Sequence, residues 1–310
     1  MRSILTLTLN PSLDVATTFG RVRSTDKLRC VAPKTDPGGG GINVARVMTR
    51  LGGAATAIFT AGGPNDQALE ELLAAEGIAS QQLEIGGSTR QSFNVFDRST
   101  RQQYRFVMPG PELDASDCRR CLDHIRASLD DVDYLVASGS LSPGVPTDFY
   151  ARIARLSLER GTRLILDTSG EALAAALEEP IFLIKPNARE LRALADDPSL
   201  DDDGLISFAR ELVSVGKCQI VALSLGERGA VLITRDQVLA VSSPLVEIQS
   251  AVGAGDSFVG ALTLSLARRE DYGTALRFGV AAGSAALLTP GTDLCRREDV
   301  ERLFRQLAIR

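Results

Sequence analysis

One histidine, His124, serves the whole 310-residue chain. Ser-His-Asp hydrolysis requires a histidine, as do most cysteine nucleophiles and most catalytic zinc sites. His124 sits in Cys121-Leu122-Asp123-His124-Ile125-Arg126, a charged amphipathic stretch whose simplest reading is an exposed helix position. Those chemistries are therefore set aside. No stretch approaches the roughly 18–20 apolar residues needed to span a bilayer. The opening Met1-Arg2-Ser3-Ile4-Leu5-Thr6-Leu7-Thr8-Leu9 alternates like a strand and lacks the small-residue cleavage site of a signal peptide. Basic clusters are also missing. With a net charge of −5 the chain offers no footprint for a nucleic-acid backbone, although a few local Arg and Lys residues suffice for one phosphate. The five cysteines, Cys30, Cys118, Cys121, Cys218 and Cys295, are odd in number and scattered, which reads as reduced thiols in the cytoplasm. Cys118-Arg119-Arg120-Cys121 has redox or zinc spacing, but no second pair accompanies it and its surroundings are helical in pattern, so a structural role is expected. Both common nucleotide motifs are absent as well: there is no G-x-x-x-x-G-K-[ST] loop, and the third glycine of G-x-G-x-x-G would fall on Asn43.

What is present is an ordinary globular composition, 44% hydrophobic and 24% charged, with ample material for a core. Short apolar runs at 54–61, 132–137, 163–167, 181–184, 220–225 and 230–234 alternate with helix-period stretches at 66–76, 116–129, 148–160 and 205–215. Several of the runs are apolar throughout, which suits strands covered on both faces. The alternation predicts an α/β fold with a doubly wound, mostly parallel sheet sandwiched by helices. Segments 11–36 and 84–108 break the rhythm with polar, alternating patterns and predict a small antiparallel sheet. As a lid it would cover a cleft; as a surface excursion it would do nothing. Asp201-Asp202-Asp203 reads as a solvated loop before a helix.

Four glycine-rich or capped turns stand out. Val252-Gly253-Ala254-Gly255-Asp256 leads into an apolar helix expected over 257–266. Glycines at a helix start let backbone N–H groups face an anion, and the helix dipole favours negative charge there. An aspartate beside such a site can take a proton from an attacking hydroxyl during phosphoryl transfer. It can equally be a helix N-cap, and the local residues leave both open. Gly38-Gly39-Gly40-Gly41-Ile42-Asn43-Val44-Ala45 lets a ligand pack on bare backbone, with Asn43 in the first helical turn to bond hydroxyls. Lys185-Pro186-Asn187-Ala188-Arg189-Glu190 follows an apolar strand; Asn187 and Glu190 have capping-box spacing, and the same pair could hold magnesium through water. Ser224-Leu225-Gly226-Glu227-Arg228-Gly229 is a tight strand connection.

Together, and in this order, these segments resemble the PfkB (ribokinase-like) family of sugar kinases. The resemblance covers essentially the whole chain, from Leu9-Asn10-Pro11-Ser12-Leu13-Asp14 to Gly291-Thr292-Asp293-Leu294-Cys295, through Lys27-Leu28-Arg29-Cys30, Tyr104-Arg105-Phe106-Val107-Met108-Pro109-Gly110, Ser138-Gly139-Ser140-Leu141 and Val280-Ala281-Ala282-Gly283-Ser284-Ala285-Ala286. Within the family it is most similar to the 6-phosphofructokinase isozyme 2 type. Members of the 1-phosphofructokinase and tagatose-6-phosphate kinase types read Gly-Gly-Lys-Gly where this chain has Gly38-Gly39-Gly40-Gly41. The resemblance implies one kinase domain over 1–310, with lid segments at about 11–36 and 84–108, working as a homodimer. It implies ATP-dependent phosphorylation of fructose 6-phosphate at its C1 hydroxyl in glycolysis, with tagatose 6-phosphate and fructose 1-phosphate as alternative substrates and a non-catalytic sugar-phosphate sensor as the rival of another class. Asp256 would be the base and Gly253, Ala254 and Gly255 the anion hole. Asp14, Gly39 and Asn43, with Ser138 and Gly139, would hold the sugar, while Arg90, Arg105, Lys27 and Arg29 neutralise its phosphate. Lys185, Asn187, Ser224, Gly226, Gly229 and Ser284 would line the ATP channel and Glu190 the Mg2+ site. Ser250, Val252, Ala286 and Gly291 correspond to a loop for a monovalent cation such as K+, and Thr289-Pro290 and Asp293 depart from the family pattern beside it.

Overall fold

The computed structural model describes residues 2–24 and 27–309. In chain order its strands are β1 (Ile4–Thr8), β2 (Ser12–Phe19), β3 (Lys34–Gly38), β4 (Thr56–Ala61), β5 (Ala79–Glu84), β6 (Arg90–Asp97) and β7 (Gln102–Val107). Then come β8 (Tyr134–Ser138), β9 (Arg163–Asp167), β10 (Ile181–Ile184), β11 (Cys218–Ser224), β12 (Ala230–Ile233) and β13 (Val238–Val241). The helices are α1 (Gly40–Arg50), α2 (Asp66–Ala75), α3 (Ala115–Ser128), α4 (Phe149–Arg160) and α5 (Gly170–Ala176). They continue with α6 (Ala188–Leu194), α7 (Asp202–Ser214), α8 (Ala254–Ala267), α9 (Tyr272–Ala286) and α10 (Arg297–Phe304).

Nine strands form one sheet in the order β13-β12-β11-β10-β9-β8-β1-β4-β5. From β5 to β11 every neighbour is parallel, and only the pairs β11–β12 and β12–β13 at one edge are antiparallel. Because strand side chains alternate between faces, each strand feeds two cores. In β8, Tyr134 and Val136 join one apolar cluster with α1, α8 and α9, while Leu135 and Ala137 join the other with α3, α4 and α7. Burial on both sides is why these runs read as apolar throughout.

The strand order reverses at β1. The chain moves from β1 to β4 and β5 on one side, then returns to β8 and proceeds through β9, β10 and β11 on the other. In such sheets the connections part at the carboxyl edge of the reversal and leave a crevice there. Thr8, Ser138, Asp167 and Ile184 all end their strands on that edge.

The second sheet has the order β3-β2-β6-β7. It departs from the expected antiparallel arrangement, because β2 and β6 are parallel over the full register from Ser12↔Arg90 to Phe19↔Asp97. The reason is connectivity: a crossover through α1, β4, α2 and β5 separates the two strands, so both leave the main sheet in the same direction. Only the locally connected pairs β2–β3 and β6–β7 are antiparallel. The Asp201–Asp203 run is also more ordered than a loop. Asp201 caps α7 by accepting from the Gly204 N–H at 2.9 Å, and Asp202 and Asp203 occupy its first turn, where the dipole favours them.

Helix α1 lies so close to the main sheet that a Cβ on Gly41 would overlap the Leu7 carbonyl of β1. Its Ile42, Val44, Val47 and Met48 are fully buried. Gly41→Ala should therefore push α1 off β1 and destabilise the fold by roughly 1–3 kcal/mol, read as a lower urea midpoint at unchanged slope. An unchanged midpoint would mean that α1 can shift without loss.

Candidate active site

Helix α8 begins three residues earlier than its apolar run suggests. Gly253 is the N-cap, in a left-handed conformation (φ 72°), and a Cβ there would overlap Leu294. Asp256 therefore lies inside the first turn and is not the cap, which removes the alternative left open by the local sequence. No side chain caps α8. Its first N–H groups, from Ala254 and Gly255, are left for an anion. The Lys185 ammonium supplies positive charge nearby: a Cβ on Gly255 would sit 3.8 Å from Lys185 Nζ.

Asp256 Oδ2 accepts a hydrogen bond from Asn43 Nδ2 at 2.8 Å, so the two glycine-led helices α1 and α8 begin at one point. Burial pushes the Asp256 carboxyl up to about 6, the Asp167 carboxylate adds to that, and the Asn43 bond and the Lys185 charge work against it. Lys185 is itself buried and pairs with Asp167 (Nζ–Oδ1 3.2 Å). Burial lowers its ammonium, but Asp167, Glu190 and Asp256 outweigh that and hold it above the ordinary lysine value.

The crevice between the two sheets is a cleft of about 300 Å³. Asp14, Gly39, Asn43, Arg90, Arg105, Ser138, Gly139, Glu190, Val252, Gly253 and Asp256 all line it, from both sheets and several helices. Asp14 accepts from Ser12 Oγ at 2.6 Å; burial raises its carboxyl, while that bond and the charges of Arg90, Arg105 and Arg46 pull it down. Arg90 donates to the carbonyls of Asn10 (3.0 Å), Met108 (3.0 Å) and Pro11 (3.3 Å). It thus ties the second sheet to the strand end it covers and keeps two of its five N–H groups. Arg105, on β7 opposite Asn94, faces the same cleft from an exposed position. The arrangement brings together an ionisable carboxylate, an uncapped helix start, a lysine and two arginines. That set can deprotonate a hydroxyl while holding two anionic groups, one at each end of the cleft.

The description "pfkB family carbohydrate kinase" matches residues 9–299. The chain belongs to the pfkB family of carbohydrate kinases. ATP-dependent 6-phosphofructokinase isozyme 2 of Mycobacterium tuberculosis (strain H37Rv) is 46% identical over 301 residues, covering 97% of this chain and 88% of that protein. Two crystal structures of the Escherichia coli phosphofructokinase-2 each cover 99% of both chains. One, in complex with potassium, has 44% identity and a TM-score of 0.94; the other, in complex with fructose-6-phosphate, has 43% and 0.93. Ribokinase of Arabidopsis thaliana, solved with ribose and ATP, shares the fold at a TM-score of 0.73 and 19% identity, covering 98% of this chain and 99% of that one. The pfkB chain is an ATP-dependent phosphosugar kinase with a ribokinase-like fold.

Other expected site residues lie outside the cleft lining. Lys27 and Arg29 are exposed on the segment between β2 and β3. Asn187 caps α6 and forms a full capping box with Glu190: Asn187 Oδ1 accepts from Glu190 N at 2.9 Å, and Glu190 Oε2 accepts from Asn187 N at 2.8 Å. Asn187 also bridges to Ser224 at the end of β11. Gly226 is exposed and Gly229 buried in the turn that follows, with Ser284 buried in α9. In the cation loop, Ser250 Oγ donates to the Gly291 carbonyl (2.7 Å) and accepts from Val252 N (3.2 Å), while Thr289 Oγ1 donates to the Ala286 carbonyl (2.7 Å). The departing Asp293 is spent on Arg50, at 2.9 Å. His124, half-buried on α3, bonds Gln81 (Nε2···Oε1 2.8 Å). Cys118 and Cys121 are buried on α3, with burial pushing the Cys121 thiol up to about 12, so both are inert. No helix among the described residues is long and apolar enough to cross a membrane.

Asp167 was not singled out by the sequence, yet it pairs Lys185 and raises Asp256. Its signal was available: a charged residue closing the apolar run Arg163-Leu164-Ile165-Leu166-Asp167 at the carboxyl edge of a parallel sheet. Ser92, Asn94 and Thr168 also line the cleft and carry no comparable signal.

The raised Asp256 carboxyl makes a stability prediction. The folded chain binds this proton more tightly than the unfolded one, so the group stabilises fully below the ordinary 3.8, loses that contribution as pH rises through about 6, and adds nothing above. Replacing it with a neutral amide removes the cost of a buried anion. Asp256→Asn should therefore raise Tm at pH 8 and leave it nearly unchanged at pH 4. Equal Tm differences at both values would show that Asp256 titrates normally.

Proposed function

We propose that the chain transfers the γ-phosphoryl group of ATP to the C1 hydroxyl of fructose 6-phosphate, giving fructose 1,6-bisphosphate and ADP. The observation that carries this reading is the Asp256 carboxylate held beside the uncapped start of α8, in a cleft whose other wall presents Arg90 and Arg105. Asp256 takes the hydroxyl proton, and the N–H groups of the 253–255 turn receive the phosphoryl oxygens as charge spreads over them. Asp14, Asn43 and the Gly39 and Ser138–Gly139 backbones hold the sugar. Arg105 grips its phosphate, joined by the two N–H groups Arg90 retains. Lys27 and Arg29 complete this phosphate site only where a second subunit or a moved segment brings them in.

On the donor side, Lys185, Asn187, Ser224, Gly226, Gly229 and Ser284 form the ATP channel. The reading is supported by the Asn187–Ser224 bridge, which sets the two loops side by side. Among the described residues no cluster of three His, Cys, Asp or Glu could hold a metal alone. Mg2+ nevertheless fits, because it is ordinarily bound by one or two carboxylates with waters and phosphates, and Glu190 lines the cleft. When bound, it neutralises the phosphate charge. A monovalent cation such as K+ would sit by Ser250, Val252, Ala286 and Gly291, where the Ala286 and Gly291 carbonyls each keep a second lone pair beside the hydroxyl they accept. The whole chain forms one domain, with the second sheet as its lid. Val31, Phe93, Phe106 and Met108, exposed on that sheet and its flanks, support a homodimer paired through the lids. Free cysteines, four of them buried, support a cytoplasmic location.

Against fructose 1-phosphate and tagatose 6-phosphate stands Gly40. A Cβ there would overlap Ser138, so the lysine found at this position in those kinase types has no room here. Turnover of MgATP with all three sugars, followed by ADP release, tests the assignment. We expect fructose 6-phosphate to be preferred, with kcat rising through about pH 6; equal or faster turnover of fructose 1-phosphate overturns the substrate. Asp256→Asn should lower kcat by roughly 10²–10⁴-fold with KM little changed, whereas near-normal kcat removes Asp256 as the base. Arg105→Ala should raise KM for the phosphosugar and leave KM for ATP alone. If the chain were a sensor, no sugar would release ADP.

A further inference from the structure

Arg46 is the bulkiest of the fully buried side chains among the described residues, 1% exposed, and it lies one turn from Asn43 on α1. Its guanidinium is fully engaged. Nε donates to both Glu76 oxygens at 3.0 Å and Nη2 to Glu76 Oε1 at 2.6 Å; Nη1 donates to the Pro37 carbonyl at 2.9 Å and to Asn43 Oδ1 at 3.3 Å. Asp36 Oδ1 stands 3.5 Å from Nη2.

The contact with Asn43 has a consequence for Asp256. A side-chain amide can turn by half a revolution and exchange its oxygen for its nitrogen at little cost. Which way it faces is set by its partners. A guanidinium has donors only, so the atom Asn43 turns to Arg46 must be Oδ1. That leaves the amide N–H groups for Asp256. With the amide reversed, its oxygen would oppose the carboxylate. We infer that Arg46 is a positioning residue: it fixes the Asn43 amide so that Asp256 always receives a donor and stays available to accept a proton. The inference rests on Asp256 as the base.

The other charged groups around these residues cannot replace this link. Asp256 is faced by Asp167 from β9, Lys185 after β10 and Asp14 from β2, with Glu190 of α6 lining the same cleft. Among the described residues, only Asn43 bonds its Oδ2. Arg46 is faced by Glu76, which closes α2, and by Asp36 from β3, which Lys34 (3.0 Å) and Thr292 (2.7 Å) also hold; Arg50 reaches Glu76 only at 3.8 Å.

Arg46→Lys and Arg46→Gln test the link. A lysine keeps the buried charge but, as a point donor drawn to Glu76, cannot also reach Asn43. A glutamine can present either face of its own amide. In both variants the midpoint of the Asp256 carboxyl, followed by carbon-13 NMR with Asp256→Asn as the assignment control, should rise by about one pH unit. The acid limb of kcat should move with it, and KM for fructose 6-phosphate, which Asn43 also holds, should rise in the same variants. A purely structural arginine would instead lower Tm and scale kcat equally at every pH, with the carboxyl midpoint where the wild type has it; that result in either folded variant overturns the inference. If Arg46→Gln does not fold, Arg46→Lys decides. Should Asp256→Asn keep its kcat, the base assignment fails, and the carboxyl midpoint still decides whether Arg46 governs Asp256.

Discussion

Helices α1 and α8 come from opposite ends of the chain and must begin within a hydrogen bond of each other. The 2.8 Å contact from Asn43 to Asp256 spans 213 residues of sequence and marks where they meet. Each helix reaches that point only because it starts on glycine. Gly39 takes φ 116° ahead of α1, and Gly253 takes φ 72° ahead of α8. Larger residues would strain the backbone at both turns and fill the space a ligand needs. Unused N–H groups at a helix start, an amide and a carboxylate therefore converge on the crevice that the reversal at β1 leaves open.

That convergence has an electrostatic cost. Asp14, Asp167, Glu190 and Asp256 crowd one cleft, and burial, with the charges of Asp167 and Asp14 behind it, drives Asp256 upward. The single buried ammonium of Lys185 offsets part of this, and the carboxylates in turn keep the lysine charged. Such a balance suits phosphoryl transfer. A site that receives polyphosphate needs positive charge near the transferred group, yet its base must stay basic enough to take a proton as the hydroxyl attacks. A carboxyl near 6 is ionised at neutral pH and is a stronger base than a solvated aspartate.

Much of the frame was legible because buried parallel strands leave a plain trace. The runs at 163–167 and 181–184 coincide with β9 and β10, since burial on both faces forces an uninterrupted apolar run. Strand β5 escaped notice because Ala79-Ser80-Gln81-Gln82-Leu83-Glu84 lies at the sheet edge, where one flank faces water and polar residues suffice. The start of α8 was misplaced for a related reason: Gly255 and Asp256 interrupt the apolar run after Ala254, and a left-handed glycine cap has no side chain to announce it. Of the site, motif order yielded Asp14, Asn43, Arg90, Arg105, Lys185 and Asp256, all in or beside the cleft. Asp167 did not emerge, because a charge closing one apolar run is a faint local sign and its importance lies in two partners distant in sequence.

Arg90 shows why a residue type and a motif position underdetermine a role. Read from sequence it is a free cation awaiting a phosphate. In the fold three of its donors hold the carbonyls of Asn10, Pro11 and Met108, so it fastens the second sheet to the end of β1. Arg105 has no such duty and projects from the opposite strand of the same sheet. The two arginines thus divide the work that a pair of interchangeable cations would share. One sets where the second sheet sits, and the other is free to follow the ligand. Because the fastened arginine also faces the cleft, the position of the sheet and the grip on an anion are linked through one guanidinium.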